Sequence, residues 1–227
     1  MTRQEFAAPD DLASNLAETV ADVLRRRLAQ GGGAVLAVSG GTTPVKFFQA
    51  LSAQPLDWAR VTVTLVDERW VDEASPRSNA ALVRTHLRQG RAALARFIPL
   101  YNGAATPRAG VAALDAALRP LLPLTAAVLG MGVDGHTASF FPGGDHLAEA
   151  LDPKGTALAC PMRAPGAGEP RLTLSLPVLL AAADLTLHIE GAAKQAVLAR
   201  AMQPGPVADL PVRAILAAPQ LRIVWSP

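Results

Sequence analysis

Short, unbroken apolar runs separated by stretches with helical spacing constrain this chain more than any other feature. Ala34-Val35-Leu36-Ala37-Val38 and Ala126-Ala127-Val128-Leu129 contain no polar residue. A strand with one wet face alternates apolar and polar residues, so runs of this kind belong in a sheet covered on both sides. Ahead of the first run, Leu12, Leu16, Val20, Leu24 and Leu28 keep roughly helical spacing. Asp10 or Asp11 can cap that helix, and the glycines at 31–33 can end it. The same grammar continues, with strands expected at 61–66, 97–100, 172–174, 184–189 and 221–225. Helices are expected at 79–87, 111–118 and 192–202. Strands alternating with helices predict an α/β fold with a mainly parallel sheet. No internal repeat or linker divides the chain, and the Pro/Gly stretch at 161–170 reads as a mobile loop. One domain spanning residues 1–227 is expected.

Composition narrows the function classes. The chain has 227 residues, of which half are apolar and 18% charged. A chain of this length buries roughly 70% of its unfolded surface, and its hydrophobicity excludes a disordered or fibrous chain. Its single cysteine, Cys160, excludes an internal disulfide and a cysteine-type metal cluster. A net charge of +2 is too small to call for a polyanionic partner. The one dense basic run, Arg25-Arg26-Arg27, sits where it complements a helix C-terminus. No nucleic acid or membrane partner is therefore expected. The most apolar uncharged run, residues 121–133, is interrupted by Pro123, Gly130 and Gly132 and is shorter than the ~20 residues a spanning helix needs. Residues 1–11 lack an apolar signal-peptide core, so a cytoplasmic protein is expected, as a monomer or weak dimer.

In an open parallel sheet, ligands bind beyond the carboxyl ends of the strands. Three such ends are unusual here. Ser39-Gly40-Gly41-Thr42-Thr43-Pro44 is a glycine-rich turn with Pro44 suited to the first turn of a helix. Its glycines allow close backbone approach, and its amides suit an anion, although an ordinary capped turn has the same composition. Asp67-Glu68-Arg69-Trp70 places two carboxylates and a guanidinium directly after a strand. There Arg69 can grip a phosphate or carboxylate, or simply pair locally.

The third end, Gly130-Met131-Gly132-Val133-Asp134-Gly135-His136-Thr137, satisfies G-x-G-x-x-G. It lacks the acidic residue about 20 positions on that a dinucleotide site needs. His136 reads as opening a helix, where the dipole favours the neutral imidazole that a general base requires. His86, His146 and His188 carry less, and no histidine pair has zinc-helix spacing, so no metal site is expected. Ser39 lacks the G-x-S-x-G elbow of a serine hydrolase, since Ala37 holds the first glycine position. Lys194 opens a helix after the strand that ends at Glu190-Gly191, and could meet a phosphate or solvent equally well. A base, anion-binding amides and two cations around one edge suit a small phosphorylated substrate.

These residues resemble the 6-phosphogluconolactonases, within the wider glucosamine-6-phosphate isomerase/deaminase group. The resemblance runs through Val38-Ser39-Gly40-Gly41-Thr42-Thr43-Pro44 and Asp67-Glu68-Arg69, with Ser78-Asn79 further on. It continues through the segment from Gly130 to Gly143, then Arg171-Leu172-Thr173-Leu174, Leu176-Pro177-Val178-Leu179, and Gly191 with Lys194. The sister deaminases typically read Asp-Gly-His-Ile-Ala-Phe-Asn-Glu-Pro. Their glutamate supports the histidine, whereas Phe141 stands in that place here and should be unable to accept a proton or orient an imidazole. Arg69 likewise replaces the tyrosine that tends to follow their Asp-Glu pair. Both departures favour the lactonase over a deaminase. A non-catalytic sugar-phosphate sensor would usually carry a helix-turn-helix extension, and none is seen.

The resemblance implies a Rossmann-like three-layer α/β/α fold without cofactor or obligatory metal. It also implies hydrolysis of 6-phospho-D-glucono-1,5-lactone to 6-phosphogluconate in the oxidative pentose phosphate pathway. His136 is then the general base on water, with Asp134 orienting it. Arg69 and Lys194 are the expected phosphate contacts, with Ser39, Gly40, Gly41 and Thr42 around them. Arg171 is expected as a secondary contact. Asp67 aligns with the proton-abstracting aspartate of the deaminases, and its role in a lactonase stays open.

Overall fold

The structure is a computed structural model that describes residues 1–227. In chain order the elements are β1 (Thr2–Glu5), α1 (Pro9–Ala29), β2 (Ala34–Val38), α2 (Val45–Ser52), β3 (Val61–Leu65), β4 (Asp67–Arg69), α3 (Asn79–His86), β5 (Arg96–Ile98) and α4 (Pro107–Leu118). They continue with β6 (Ala126–Leu129), α5 (Leu147–Leu151), β7 (Ala159–Met162), β8 (Arg171–Leu174), α6 (Leu176–Leu180), β9 (Asp184–Glu190), α7 (Ala192–Ala201), α8 (Arg213–Leu216) and β10 (Leu221–Ser226).

Seven strands form one parallel sheet in the order β1-β10-β9-β6-β2-β3-β5. Helices cover both faces, as a three-layer α/β/α fold requires. The unbroken apolar runs occupy the middle of this sheet, where β2 and β6 pair with each other and every one of their residues is buried. Each fully buried leucine or valine there contributes roughly 1.5–3 kcal/mol. From β2 the chain winds outward through β3 to β5. It then returns to the other side of β2 as β6 and winds outward through β9 and β10. The direction of winding therefore reverses between β2 and β6. A crevice opens beyond the carboxyl ends of the strands at such a reversal. The segments that follow β2 and β6 begin at Ser39 and Gly130.

Several local expectations change. In α1 the residue at the N-cap is Ala8, without a side-chain cap, and Asp10 and Asp11 sit inside the first turn. There they favour the positive end of the dipole instead of capping it. Pro44 is itself the N-cap of α2 and not part of its first turn. α4 begins earlier than expected, at Pro107, because Thr106 caps it by accepting from the Ala109 amide.

The larger correction concerns a second sheet. Asp67-Glu68-Arg69 forms β4, and β4-β8-β7 make a three-stranded antiparallel sheet. Val66 joins the two sheets: its amide donates to Val38 O at 2.9 Å, and its carbonyl accepts from Leu174 N at 2.9 Å. The 172–174 strand belongs to this small sheet and not to the main one. Pro161, expected in a loop, lies in β7, which is an edge strand where the missing amide costs no ladder bond. The N-terminal strand β1 was not foreseen. It is an exposed edge whose order comes from pairing with β10, far away in sequence.

Candidate active site

A cavity of about 240 Å³ opens at the β2/β6 crevice. It is lined by Ser39, Gly40, Gly41, Thr42, Asp67, Arg69, His136, Arg171 and Lys194, so the structure brings nine of the expected residues to one cavity. Asp134, the tenth, touches it through His136. Asn79, Ala138 and His188 join the lining without having been singled out.

At one end is the turn after β2. The amides of Gly40, Gly41, Thr42 and Thr43 donate no hydrogen bond within the chain, and all four residues line the cavity. Gly41 has φ +91°, a left-handed conformation open to glycine at little cost. Gly40 is needed for another reason: a Cβ there would overlap the Asn79 carboxamide. Lys194, in the first turn of α7, donates to Thr43 Oγ1 at 3.0 Å. Burial lowers the pKa of its ammonium, against the raising field of Glu190. Four unengaged amides beside a lysine are groups of the kind that favour an anion.

The facing wall comes from the small sheet. Register pairs Arg69 with Arg171 and Asp67 with Thr173. Arg69 donates through one terminal nitrogen to Arg77 O at 2.7 Å and Asn79 Oδ1 at 3.0 Å. Arg171 is buried, donates to Ala167 O at 2.8 Å, and approaches Asp67 Oδ2 at 3.7 Å. Burial lowers the Arg171 pKa most, and the Asp67 charge opposes that shift. Asp67 also accepts from Ser139 Oγ at 2.5 Å. Its Oδ2 is thus held by two partners, an arrangement suited to anchoring Arg171.

Glu68 points the other way and is fully buried. It accepts from the amides of Arg69, Asn79 and Ala80, each at 2.8 Å, and from Ser78 Oγ at 3.3 Å. Burial raises its carboxyl above the usual range, although the three amides favour the charged form. This carboxylate ties β4 to the start of α3 and so sets where Arg69 and Asn79 stand.

The expected helix after His136 is absent. Residues 131–140 form turns, with an isolated bridge between Thr137 and Phe140, so no helix dipole acts on the imidazole. His136 is held instead by two contacts. Its Nδ1 lies 2.5 Å from Asp134 Oδ1, and its ring centroid lies 4.2 Å from that of Phe141 at an interplanar angle of 31°. Phe141 therefore does orient the imidazole, by stacking, contrary to the expectation. The Arg171 guanidinium also lies against the Phe141 ring, 5.3 Å from its centroid. Burial pushes the Asp134 carboxyl up, but the hydrogen bond and charge of His136 outweigh it and hold it below the ordinary range. A carboxylate at Nδ1 fixes the proton there and leaves the Nε2 lone pair for chemistry. A Cβ at Gly132 would overlap both His136 and Asp134, so this pair depends on glycine. Ala138, beside it, has φ +49°, strained backbone of a kind that clusters at functional sites.

Of the additional residues, Asn79 and Ser139 lay within the stretches that carry the resemblance, but their partners are distant in sequence. His188 had no local signal at all, since a histidine within a strand reads as structural.

An α/β fold with a histidine–carboxylate pair beside free backbone amides at its reversal crevice has the features of an enzyme for a small anionic substrate. Comparison with known proteins makes the class specific. Residues 7–225 match the family model described as glucosamine-6-phosphate isomerases/6-phosphogluconolactonase, and the chain belongs to that family. It is 54% identical over 226 residues to the 6-phosphogluconolactonase of Mesorhizobium japonicum, covering 97% of this chain and 94% of the relative. It is 51% identical over 225 residues to that of Rhizobium meliloti, covering 98% and 97% respectively. The crystal structure of a 6-phosphogluconolactonase from Shewanella baltica superposes with a TM-score of 0.96 at 38% identity, covering 100% of this chain and 98% of that one.

Proposed function

We propose that this protein hydrolyses 6-phospho-D-glucono-1,5-lactone to 6-phosphogluconate, with residues 1–227 acting as one catalytic domain. The observation that carries the reading is the His136–Asp134 pair, which faces the same cavity as the unengaged amides and Lys194. The phosphate rests on the amides of Gly40 to Thr43 and on Lys194, with Arg69 on the facing wall. This anchors the sugar so that its carbonyl carbon comes to His136.

Neutral His136 takes a proton from water at Nε2 as the water oxygen bonds to the lactone carbonyl carbon. The carbonyl oxygen becomes an oxyanion, whose charge is met by the Arg171 guanidinium, which packs on the same Phe141 ring that stacks on His136. Asp134 stabilises the imidazolium formed in that step, as the carboxylate partner of a catalytic histidine does. The tetrahedral intermediate then collapses, the bond to the ring oxygen breaks, and that oxygen takes the proton from His136. The base is restored and the open-chain acid leaves. Asp67, engaged with Ser139 and Arg171, positions the cationic wall and moves no proton in this scheme.

The test is hydrolysis of freshly generated 6-phosphogluconolactone above its spontaneous rate, with unphosphorylated gluconolactone and glucosamine-6-phosphate run in parallel. Acceleration confined to the phosphorylated lactone is expected. His136→Ala should lower kcat by about two to four orders of magnitude with KM little changed. Activity within a few-fold of wild type would remove His136 as the base, and deamination of glucosamine-6-phosphate alone would overturn the substrate.

A further inference from the structure

A second histidine–carboxylate pair reaches the cavity through its histidine. His188 lies on β9 at the same end as Lys194, with 2% of its side chain exposed, and its Nε2 lies 3.0 Å from Glu190 Oε1. The two residues are two apart on one strand and so share a face. The edge of the Phe47 ring, 6.3 Å away by centroids at 83°, packs against the imidazole and limits its rotation.

Glu190 is the acid whose charge acts on Lys194, yet the two form no ion pair. Lys194 bonds Thr43 Oγ1 instead. The other cation within reach of the Glu190 charge, Lys46 on α2, already pairs with Asp10 of α1 at 2.8 Å. A carboxylate that met the Lys194 ammonium would compete directly with a phosphate for it. The bond to His188 is what keeps that carboxylate occupied. The end of β9 is itself fixed: the Gly191 amide donates to Ser226 O at 2.9 Å, and Trp225 Nε1 donates to Gly191 O at 3.2 Å.

We propose that His188 is a positioning residue that holds Glu190 away from Lys194, so that the lysine stays available to the substrate's phosphate. The proposal rests on the reading of Lys194 as a phosphate contact. It goes beyond that reading in assigning two residues that touch neither the reacting carbon nor its base. It also explains why Lys194 bonds Thr43 and forms no ion pair with an acid four residues before it in the sequence.

Calorimetric binding of 6-phosphogluconate, with gluconate as the unphosphorylated comparison, tests it independently of turnover. His188→Leu keeps the bulk against Phe47 and releases Glu190, and should weaken 6-phosphogluconate binding about five-fold. Glu190→Gln removes a negative charge near the phosphate and should tighten binding about two-fold. The decisive protein is the double variant H188L/E190Q, in which no carboxylate remains to capture Lys194 and affinity should return to that of E190Q. His188→Gln, which keeps a donor for Glu190, guards against misfolding and should bind more tightly than His188→Leu. Equal loss in H188L and H188L/E190Q would mean that His188 acts only through packing and would overturn the proposal, as would unchanged affinity in H188L. A wild-type protein that binds 6-phosphogluconate and shows this pattern, yet fails to hydrolyse the lactone, would refute the proposed reaction and leave the His188 assignment standing.

Discussion

At the scale of single residues, the charged groups around the cavity are each held by specific partners. Asp134 fixes the Nδ1 proton of His136, and the stacked Phe141 ring limits its tilt. The sign of the Asp134 effect on stability follows from its lowered pKa. The unfolded chain takes up a proton on this carboxyl before the folded one does, so its contribution is present above the usual aspartate value of about 3.9 and disappears as pH falls through the depressed value. Denaturation curves at pH 7 and pH 3 should therefore show wild type losing its advantage over Asp134→Asn in acid. A constant gap at both pH values would count against the pairing. Arg69→Ala removes a guanidinium from the wall facing the anion cradle, and KM for the phosphorylated lactone should rise about ten-fold. An unchanged KM would take Arg69 out of the phosphate site.

At the scale of elements, the β4–α3 connection is organised by one buried acid. Glu68 accepts three backbone amides that would otherwise be unpaired in the interior. In Glu68→Gln, one carboxylate oxygen becomes an NH₂ group that must face an amide donor. Leaving such a donor unsatisfied costs about 1–3 kcal/mol. A lowered denaturation midpoint is expected together with a raised KM, because Arg69 and Asn79 move with the connection. Stability falling without any change in KM would separate Glu68 from the site. The antiparallel β4-β8-β7 sheet is the element that carries this wall, and Val66 couples it to the main sheet through bonds to both β2 and β8.

At the scale of the molecule, a continuous apolar core joins the two sheets and runs under α1 and α2. Cys160 belongs to it. Burial pushes the thiol up to about 11, Glu149 adds to that, and Arg108 opposes it. Thiolate is the reactive form, so in the native protein Cys160 should resist alkylating reagents, and it should react in step with loss of secondary structure on denaturation. Reaction at the full rate before unfolding would show that this part of the core opens locally. No helix is long and apolar enough to cross a membrane.

The amino-acid sequence by itself was enough to determine the α/β class, the central strands β2 and β6 and most of the expected residues that line the cavity. Burial on both faces forces unbroken apolar runs, and glycine-rich turns leave a local signature wherever backbone must approach a ligand. The stretches around Gly40 and Gly132 were legible from their glycines, although the side chains that require those glycines, Asn79 at one and His136 with Asp134 at the other, are seen only in the structure. Only the tertiary structure decided what depends on contacts between distant segments. Asp67-Glu68-Arg69 reads locally as a charged loop, yet it is a strand because β8, about a hundred residues later, pairs with it. His136 reads locally as the start of a helix, yet its position is set by Asp134 and by the Phe141 ring, whose role no spacing rule describes. His188 reads as a buried strand residue until the fold brings α7 and the Thr43 turn to its end of the cavity. Local pattern records what each segment must bury, and the partner across which it is buried is chosen only when the chain closes on itself.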